Sequence, residues 1–156
     1  MSRSIAIRVA VPTDAAAIVR IDRDSPTAAH WPEAKYRQAI EQAERLVLVA
    51  EESGELLGFL VASTATVEWE LENIVVSRSA QRHGIGRALL RALIGHAKEA
   101  GASEIRQEIR ASNLAAQRLG QSVGFVQRGR RKEYYRSPDE DALLFNYLLG
   151  EPETPR

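Results

Sequence analysis

The chain contains no cysteine. That excludes a disulfide framework, a thiolate zinc site, a cysteine nucleophile and acyl transfer through an enzyme-bound thioester. Histidine is scarce, and His30, His83 and His96 are too scattered to suggest a metal cluster, so no metal is implied. An excess of one charge is also missing: Lys+Arg 21 balance Asp+Glu 21, for a formal net charge of zero at pH 7. A nucleic-acid partner, which needs a basic face, is therefore not expected. No apolar run approaches the ~20 residues needed to cross a bilayer, and Met1-Ser2-Arg3-Ser4-Ile5-Ala6 lacks the apolar stretch of a signal peptide. These absences predict a cytoplasmic protein with no membrane partner, and nothing in the pattern sets an oligomeric state. What remains is 156 residues, 44% hydrophobic and 27% charged, the composition of one globular domain. The expected domain covers 1–150, and Glu151 to Arg156, rich in proline and charge, is expected to be a disordered tail.

The apolar pattern reads as alternating strands and helices. Ile5 to Val9 suits a short strand, and Pro12-Thr13-Asp14 a helix start, with Thr13 or Asp14 as cap. Ile18 and Ile21 supply the apolar stripe of that helix. A second helix is expected from about Pro32 to Glu44, with Trp31, Tyr36 and Ile40 at roughly helical spacing. Leu46 to Ala50 and Leu56 to Ala62, joined by Glu52-Ser53-Gly54-Glu55, read as a hairpin. Val67 to Val76 mixes Trp69, Leu71, Ile74 and Val76 with Glu68, Glu70, Glu72 and Asn73, as in a central strand carrying unusual polar groups. Gly84 to Ala100 has the strongest helical pattern, stopped by Gly101. Glu104 to Ile109 reads as a strand. A helix capped by Ser112 or Asn113 follows, with Ala115, Leu119 and Val123 inward, and ends at Gly124. The last strands are Phe125 to about Arg130 and Ala142 to Leu149, separated by Tyr134, Tyr135 and a turn at Ser137-Pro138-Asp139. The class is α/β with a central mixed sheet.

The segment from Val75 to Leu90 carries the most chemistry. A strand ends, a polar loop holds Arg78 and Arg82, and Gly84 and Gly86 open the strong helix. The first turn of a helix leaves N–H groups unpaired and favours an anion. Glycines there let a phosphate approach the backbone, and Arg78, Arg82 and Arg87 offer charge-assisted hydrogen bonds to a pyrophosphate. No Gly-Lys-Ser/Thr is present, and Leu89 stands where a dinucleotide fingerprint needs its third glycine.

Gln81-x-x-Gly84-x-Gly86 resembles the Q/R-x-x-G-x-G/A acetyl-CoA signature of the GNAT N-acetyltransferases. Glu108-Ile109-Arg110-Ala111-Ser112-Asn113 resembles the E-V-R-x-S-N segment of the ribosomal-protein-alanine (RimI-like) members. Ser122-Val123-Gly124-Phe125, Arg130-Arg131-Lys132-Glu133-Tyr134-Tyr135 and Glu140-Asp141-Ala142 match their S-L-G-F, R-R-x-Y-Y and E-D-A in order and spacing. The likeness covers roughly residues 65–149. It implies the GNAT fold, a single domain whose mixed, splayed sheet is flanked by helices, with acetyl-CoA wedged between two central strands. By that resemblance the backbone of Ile74, Val75 and Val76 pairs with the pantetheine arm. Gln81, Arg82, His83, Gly84, Ile85, Gly86 and Arg87 form the pyrophosphate loop, and Asn113 contacts the cofactor further along.

The implied reaction transfers acetyl from a thioester to a neutral amine. An α-amino group has a reference pKa near ~7.7–8 against ~10.4 for lysine, so a carboxylate acting through water suffices as base. Glu108 is the first candidate, with Glu70 and Glu72 as alternatives. A bland reading of Glu108 is a strand residue paired with Arg106 or Arg110. Gly120 stands where RimI-like enzymes have the tyrosine that protonates the leaving sulfur. Either Tyr134 or Tyr135, or water, then serves as acid; alternatively the thiolate leaves with little help, or the chain binds acetyl-CoA with weak or no turnover. The expected acceptor is the N-terminal α-amine of a protein such as a ribosomal protein, with a small amine or a lysine side chain as the alternative. Trp31 and Tyr36 are candidates for helix packing or for gripping an acceptor peptide.

Overall fold

The computed structural model describes residues 4–150; the first three residues and the expected tail at 151–156 lie outside the described residues. Apolar alternation becomes β1 (Ala6–Val9), β2 (Arg45–Glu52), β3 (Glu55–Ser63), β4 (Glu68–Val76), β5 (Glu104–Arg110), β6 (Val126–Tyr135) and β7 (Glu140–Leu148). The helical stripes become α1 (Ala15–Arg23), α2 (Glu33–Glu41), α3 (Ile85–Ala100) and α4 (Leu114–Val123). The strands form one sheet in the order β1-β2-β3-β4-β5-β7-β6. All neighbours are antiparallel except β4 and β5, so the sheet is mixed. The parallel pair holds only through Glu68↔Glu104, Trp69↔Ile105 and Glu70↔Arg106. Beyond these residues the two strands separate, which is the splay that the resemblance implies.

Each face of the sheet has its own core. One contains Leu48, Leu60, Trp69, Leu71, Ile105, Ile109 and Phe145 with the inward stripe of α3; Ala116, Leu119 and Val123 of α4 pack against it. The other holds Ile18, Val19 and Ile21 of α1 and Tyr36 and Ala39 of α2 against Val47, Val49, Phe59, Val61 and Val75. Successive strand residues face opposite sides. The burial of Trp69, Leu71, Ile105 and Ile109 under α3 and α4 therefore directs Glu70 and Glu108 to the other face.

Several local expectations change. Pro12–Asp14 forms a 3-10 turn, and the Asp14 carboxylate accepts the Val11 N–H at 2.8 Å and pairs with Arg8, rather than capping α1. α2 ends at Glu41, where Gln42 turns extended to enter β2. On α4 the cap is Asn113, whose Oδ1 accepts the Ala116 N–H at 3.1 Å. Ala115 is exposed, and Ala116 takes the inward place, one position along the helical repeat. Tyr134 and Tyr135 belong to β6 itself, because its pairing with β7 continues to Tyr135↔Glu140.

Candidate active site

The open edge of β4 defines the cleft. From Ile74 to Val76 the strand still pairs with β3, through Ile74↔Leu60, Val75↔Phe59 and Val76↔Gly58. On the side toward β5 those residues have no β5 partner, which leaves extended backbone free to pair with a linear ligand. A groove lined by Ile21, Asp24, Ser25, Val76, Ser77 and Gln81 runs beside this end of β4, between the α1 C-terminus and the loop that follows.

That loop folds as the sequence suggests, and one of its glycines also serves packing. Gln81 Nε2 donates to the Val76 carbonyl at 3.4 Å and ties the loop to the strand end. Gly84 precedes α3 with φ +77°, a left-handed conformation that glycine adopts without Cβ strain. The N–H groups of Ile85, Gly86 and Arg87 open the helix and have no intrahelical acceptor. Arg78, Arg82, His83 and Arg87 are exposed around them. Gly86 is buried, and a Cβ there would meet the Leu119 side chain of α4 at 3.0 Å. Gly86 thus also favours the close approach of α3 and α4.

Two irregularities bring the carboxylates and tyrosines together. β4 bulges at Glu72, since Ala62 pairs with Leu71 and Val61 with Asn73. β6 bulges between Arg131↔Ala142 and Tyr135↔Glu140, spending four steps where β7 spends two. Such bulges re-aim side chains. Glu108, with 27% of its side chain exposed, lies 3.6 Å from Arg131 Nη1. Arg106 pairs instead with Glu68 and Glu104, and Arg110 with Glu140. Burial pushes the Glu70 carboxyl above its usual range, and the charges of Glu108 and Glu72 push it further. Burial likewise raises the Tyr135 phenol, with Glu108 adding to the effect and Arg110 opposing it. Tyr134 and Tyr135 pack edge to face at 5.3 Å between centroids. Glu72 is drawn aside, since Arg45 grips both its oxygens at 2.8 and 3.1 Å.

Asn113 spends its side-chain oxygen on capping α4. Tyr36 is fully buried and donates to Asp22, accepts from Asn73 Nδ2 at 2.8 Å and packs under Trp31. It is a packing and hydrogen-bonding residue rather than a surface grip. Trp31 lies under Lys35 at 4.0 Å from ring centroid to Nζ. The sequence reading missed Gln107, a buried amide between Ile105 and Ile109. Its one signal was a polar residue at an inward position of β5.

A mixed sheet parted between its two central strands, with a glycine-led helix turn at the mouth and carboxylates on one lip, defines the class of acyl-CoA-dependent acyltransferases. Residues 15–125 match the Acetyltransferase (GNAT) family, and the chain belongs to that family. It is 37% identical over 117 residues to the [ribosomal protein bS18]-alanine N-acetyltransferase of Escherichia coli K12, covering 73% of this chain and 78% of that protein. It is 33% identical over 126 residues to the N-alpha-acetyltransferase RimI of Mycobacterium tuberculosis, covering 78% of each. The crystal structure of the Escherichia coli ribosomal-protein-S18-alanine N-acetyltransferase superposes with a TM-score of 0.85 at 28% identity, covering 96% of this chain and 97% of that one. The protein is an N-acetyltransferase, and acetyl-CoA is its acetyl donor.

Proposed function

We propose that this enzyme acetylates the N-terminal α-amine of a protein, with a ribosomal protein as the acceptor, and that Glu108 is its general base. The observation that carries the reading is the position of Glu108. It lies on β5 two residues beyond Arg106, the last residue paired with β4, and on the face opposite α3 and α4. The relatives at 33–37% identity that are named for N-terminal acetylation support the acceptor class. A cytoplasmic location accords with such an acceptor.

In this reading the pantetheine arm pairs with Ile74 to Val76, and the pyrophosphate sits on the N–H groups of Arg82 to Arg87. The acceptor enters over the Glu70 and Glu108 face, where negative charge attracts its ammonium group. Glu108 takes the ammonium proton through water, and the neutral nitrogen attacks the thioester carbonyl. Tyr135, which feels the Glu108 charge, and Tyr134, packed against it, contact the acceptor rather than the departing sulfur.

The test follows CoA release from acetyl-CoA with N-terminal peptides, lysine peptides and free amines, using wild type and Glu108→Gln. Turnover on free peptide N-termini, lowered roughly hundredfold in the variant with KM for acetyl-CoA unchanged, is the expected result. Turnover confined to lysine peptides or small amines overturns the acceptor, and an unaffected variant overturns the base.

A further inference from the structure

Between Arg131↔Ala142 and Tyr135↔Glu140, Asp141 of β7 stands opposite Lys132, Glu133 and Tyr134 of β6. Regular antiparallel pairing onward from Arg131 would set Glu133 opposite Glu140. It would also carry Tyr135 about 7 Å further toward the hairpin tip, at the usual strand rise per residue. The extra length is taken up at Glu133, whose φ is +52°. A residue with a Cβ is strained in that left-handed conformation, which persists where neighbouring contacts hold it. Asp141 supplies the hold. Its Oδ1 accepts the Glu133 N–H at 2.9 Å, and its Oδ2 lies 3.3 Å from Arg130 Nε. The carboxylate thus spans the bulge from its entrance to its crest.

What the bulge draws inward is the polar site. The Tyr135 ring centroid lies 4.3 Å from Arg110 Cζ, and its phenol, raised chiefly by burial, also feels the Glu108 charge. Arg131 reaches Glu108 at 3.6 Å, and its Cζ stands 5.3 Å from the Tyr134 ring centroid. The hairpin tip beyond is tied separately, since Arg110 donates to the carbonyls of Arg136 and Pro138, each at 3.3 Å. With the tip anchored and Arg131 still in register, the bulge sets how far the two tyrosines are drawn back toward Glu108.

We propose that Asp141 is a positioning residue for the acceptor: by fixing the left-handed turn at Glu133 it holds Arg131, Tyr134 and Tyr135 around the approach to Glu108. This rests on the N-terminal acceptor reading above. Asp141 acts through the Glu133 backbone, so its influence falls on the incoming peptide. Acetyl-CoA, assigned above to β4 and the first turn of α3, is served by other elements. Glycine at 133 would adopt the same turn without Cβ strain, and asparagine at 141 would keep the accepting oxygen. The two substitutions separate the hold on the turn from the charge of Asp141.

The test compares wild type with Asp141→Ala, Asp141→Asn and Asp141→Ala combined with Glu133→Gly. Amide hydrogen exchange at residue 133 and NMR titration of the Tyr135 ring read the turn without turnover. Kinetics on a peptide with a free small-residue N-terminus read its use. In Asp141→Ala the Glu133 N–H should exchange about tenfold faster or more, and the Tyr135 phenol should titrate closer to the ordinary value of ~10. KM for the peptide should rise about five- to tenfold, with KM for acetyl-CoA unchanged. Asp141→Asn should stay within about twofold of wild type in peptide KM, and Glu133→Gly should restore most of what the alanine variant loses. An alanine variant with wild-type Tyr135 titration and peptide KM overturns the proposal. So does a loss shared equally by KM for acetyl-CoA, the mark of a merely structural role, or an asparagine variant as impaired as alanine. The expected exchange and titration changes in an enzyme that acetylates lysine peptides or free amines instead support the hold on the tyrosines and remove the protein N-terminus as acceptor.

Discussion

The Glu70 carboxyl is held above its usual range first by desolvation and then by Glu108 and Glu72, against which Arg106 and Arg131 give partial relief. A carboxyl raised in the folded state binds its proton more readily there than in the unfolded chain. Its contribution is most favourable below the unfolded value near ~4.3 and is lost as pH rises through the folded one. Glu70→Gln is therefore expected to be more stable than wild type at pH 7, by less than about 1 kcal/mol because the group is solvent-screened. The difference should vanish below about pH 4, which thermal unfolding at the two pH values checks. The same uncompensated charge favours an incoming ammonium group, so this variant should also raise KM for a peptide acceptor. Glu72 is paired with Arg45.

Elements differ in what their glycines are for. Gly84 has φ +77° at the mouth of α3, whereas Gly120 has ordinary helical backbone and space beside it. Alanine at 84 should cost about 1–2 kcal/mol through Cβ strain, and alanine at 120 should gain about 0.5–1 kcal/mol through helix propensity. Urea unfolding of the two variants without cofactor checks the opposite signs. The strands show the same division of labour. Bulges in β4 and β6 interrupt regular pairing at Glu72 and between Arg131 and Tyr135, the stretches that carry the polar site. The regular stretches of β2 and β3 carry core residues.

At the scale of the molecule, α1, α2 and β4 are joined by one buried polar chain. Tyr36 donates to Asp22 and accepts from Asn73, while Asp22 also accepts the Trp31 N–H at 3.2 Å. Burial and then Asp22 push the Tyr36 phenol far above its ordinary value, so it remains a donor throughout the pH range of the folded protein. Tyr36→Phe would leave the Asp22 carboxylate and the Asn73 amide short of partners inside the core. The expected loss is about 2–4 kcal/mol, read by urea unfolding. Because Asn73 follows the Glu72 bulge, the variant should also weaken acetyl-CoA binding through β4.

Much of this protein can be read along the chain, because helix and strand periodicity, caps and the glycine-led turn before α3 are properties of neighbouring residues. The order of elements, the α/β class and the glycine-led turn are all of that kind, whereas the acetyl-CoA reading of that turn and the candidate acids came from the family resemblance. Tyr134 and Tyr135 were harder to place, since a bulge keeps them in β6 only through pairing with distant Glu140 and Ala142. The residue at which β4 parts from β5, after Glu70, the pairing of Glu72 with Arg45, and the meeting of Gln107 with Gly120 were decided by tertiary structure. Each joins residues far apart in sequence whose contact is stabilised only once the sheet and helices have assembled. A local pattern can specify what a residue is suited to do, but the burial and the partners that fix its charge and reach exist only in the packed fold.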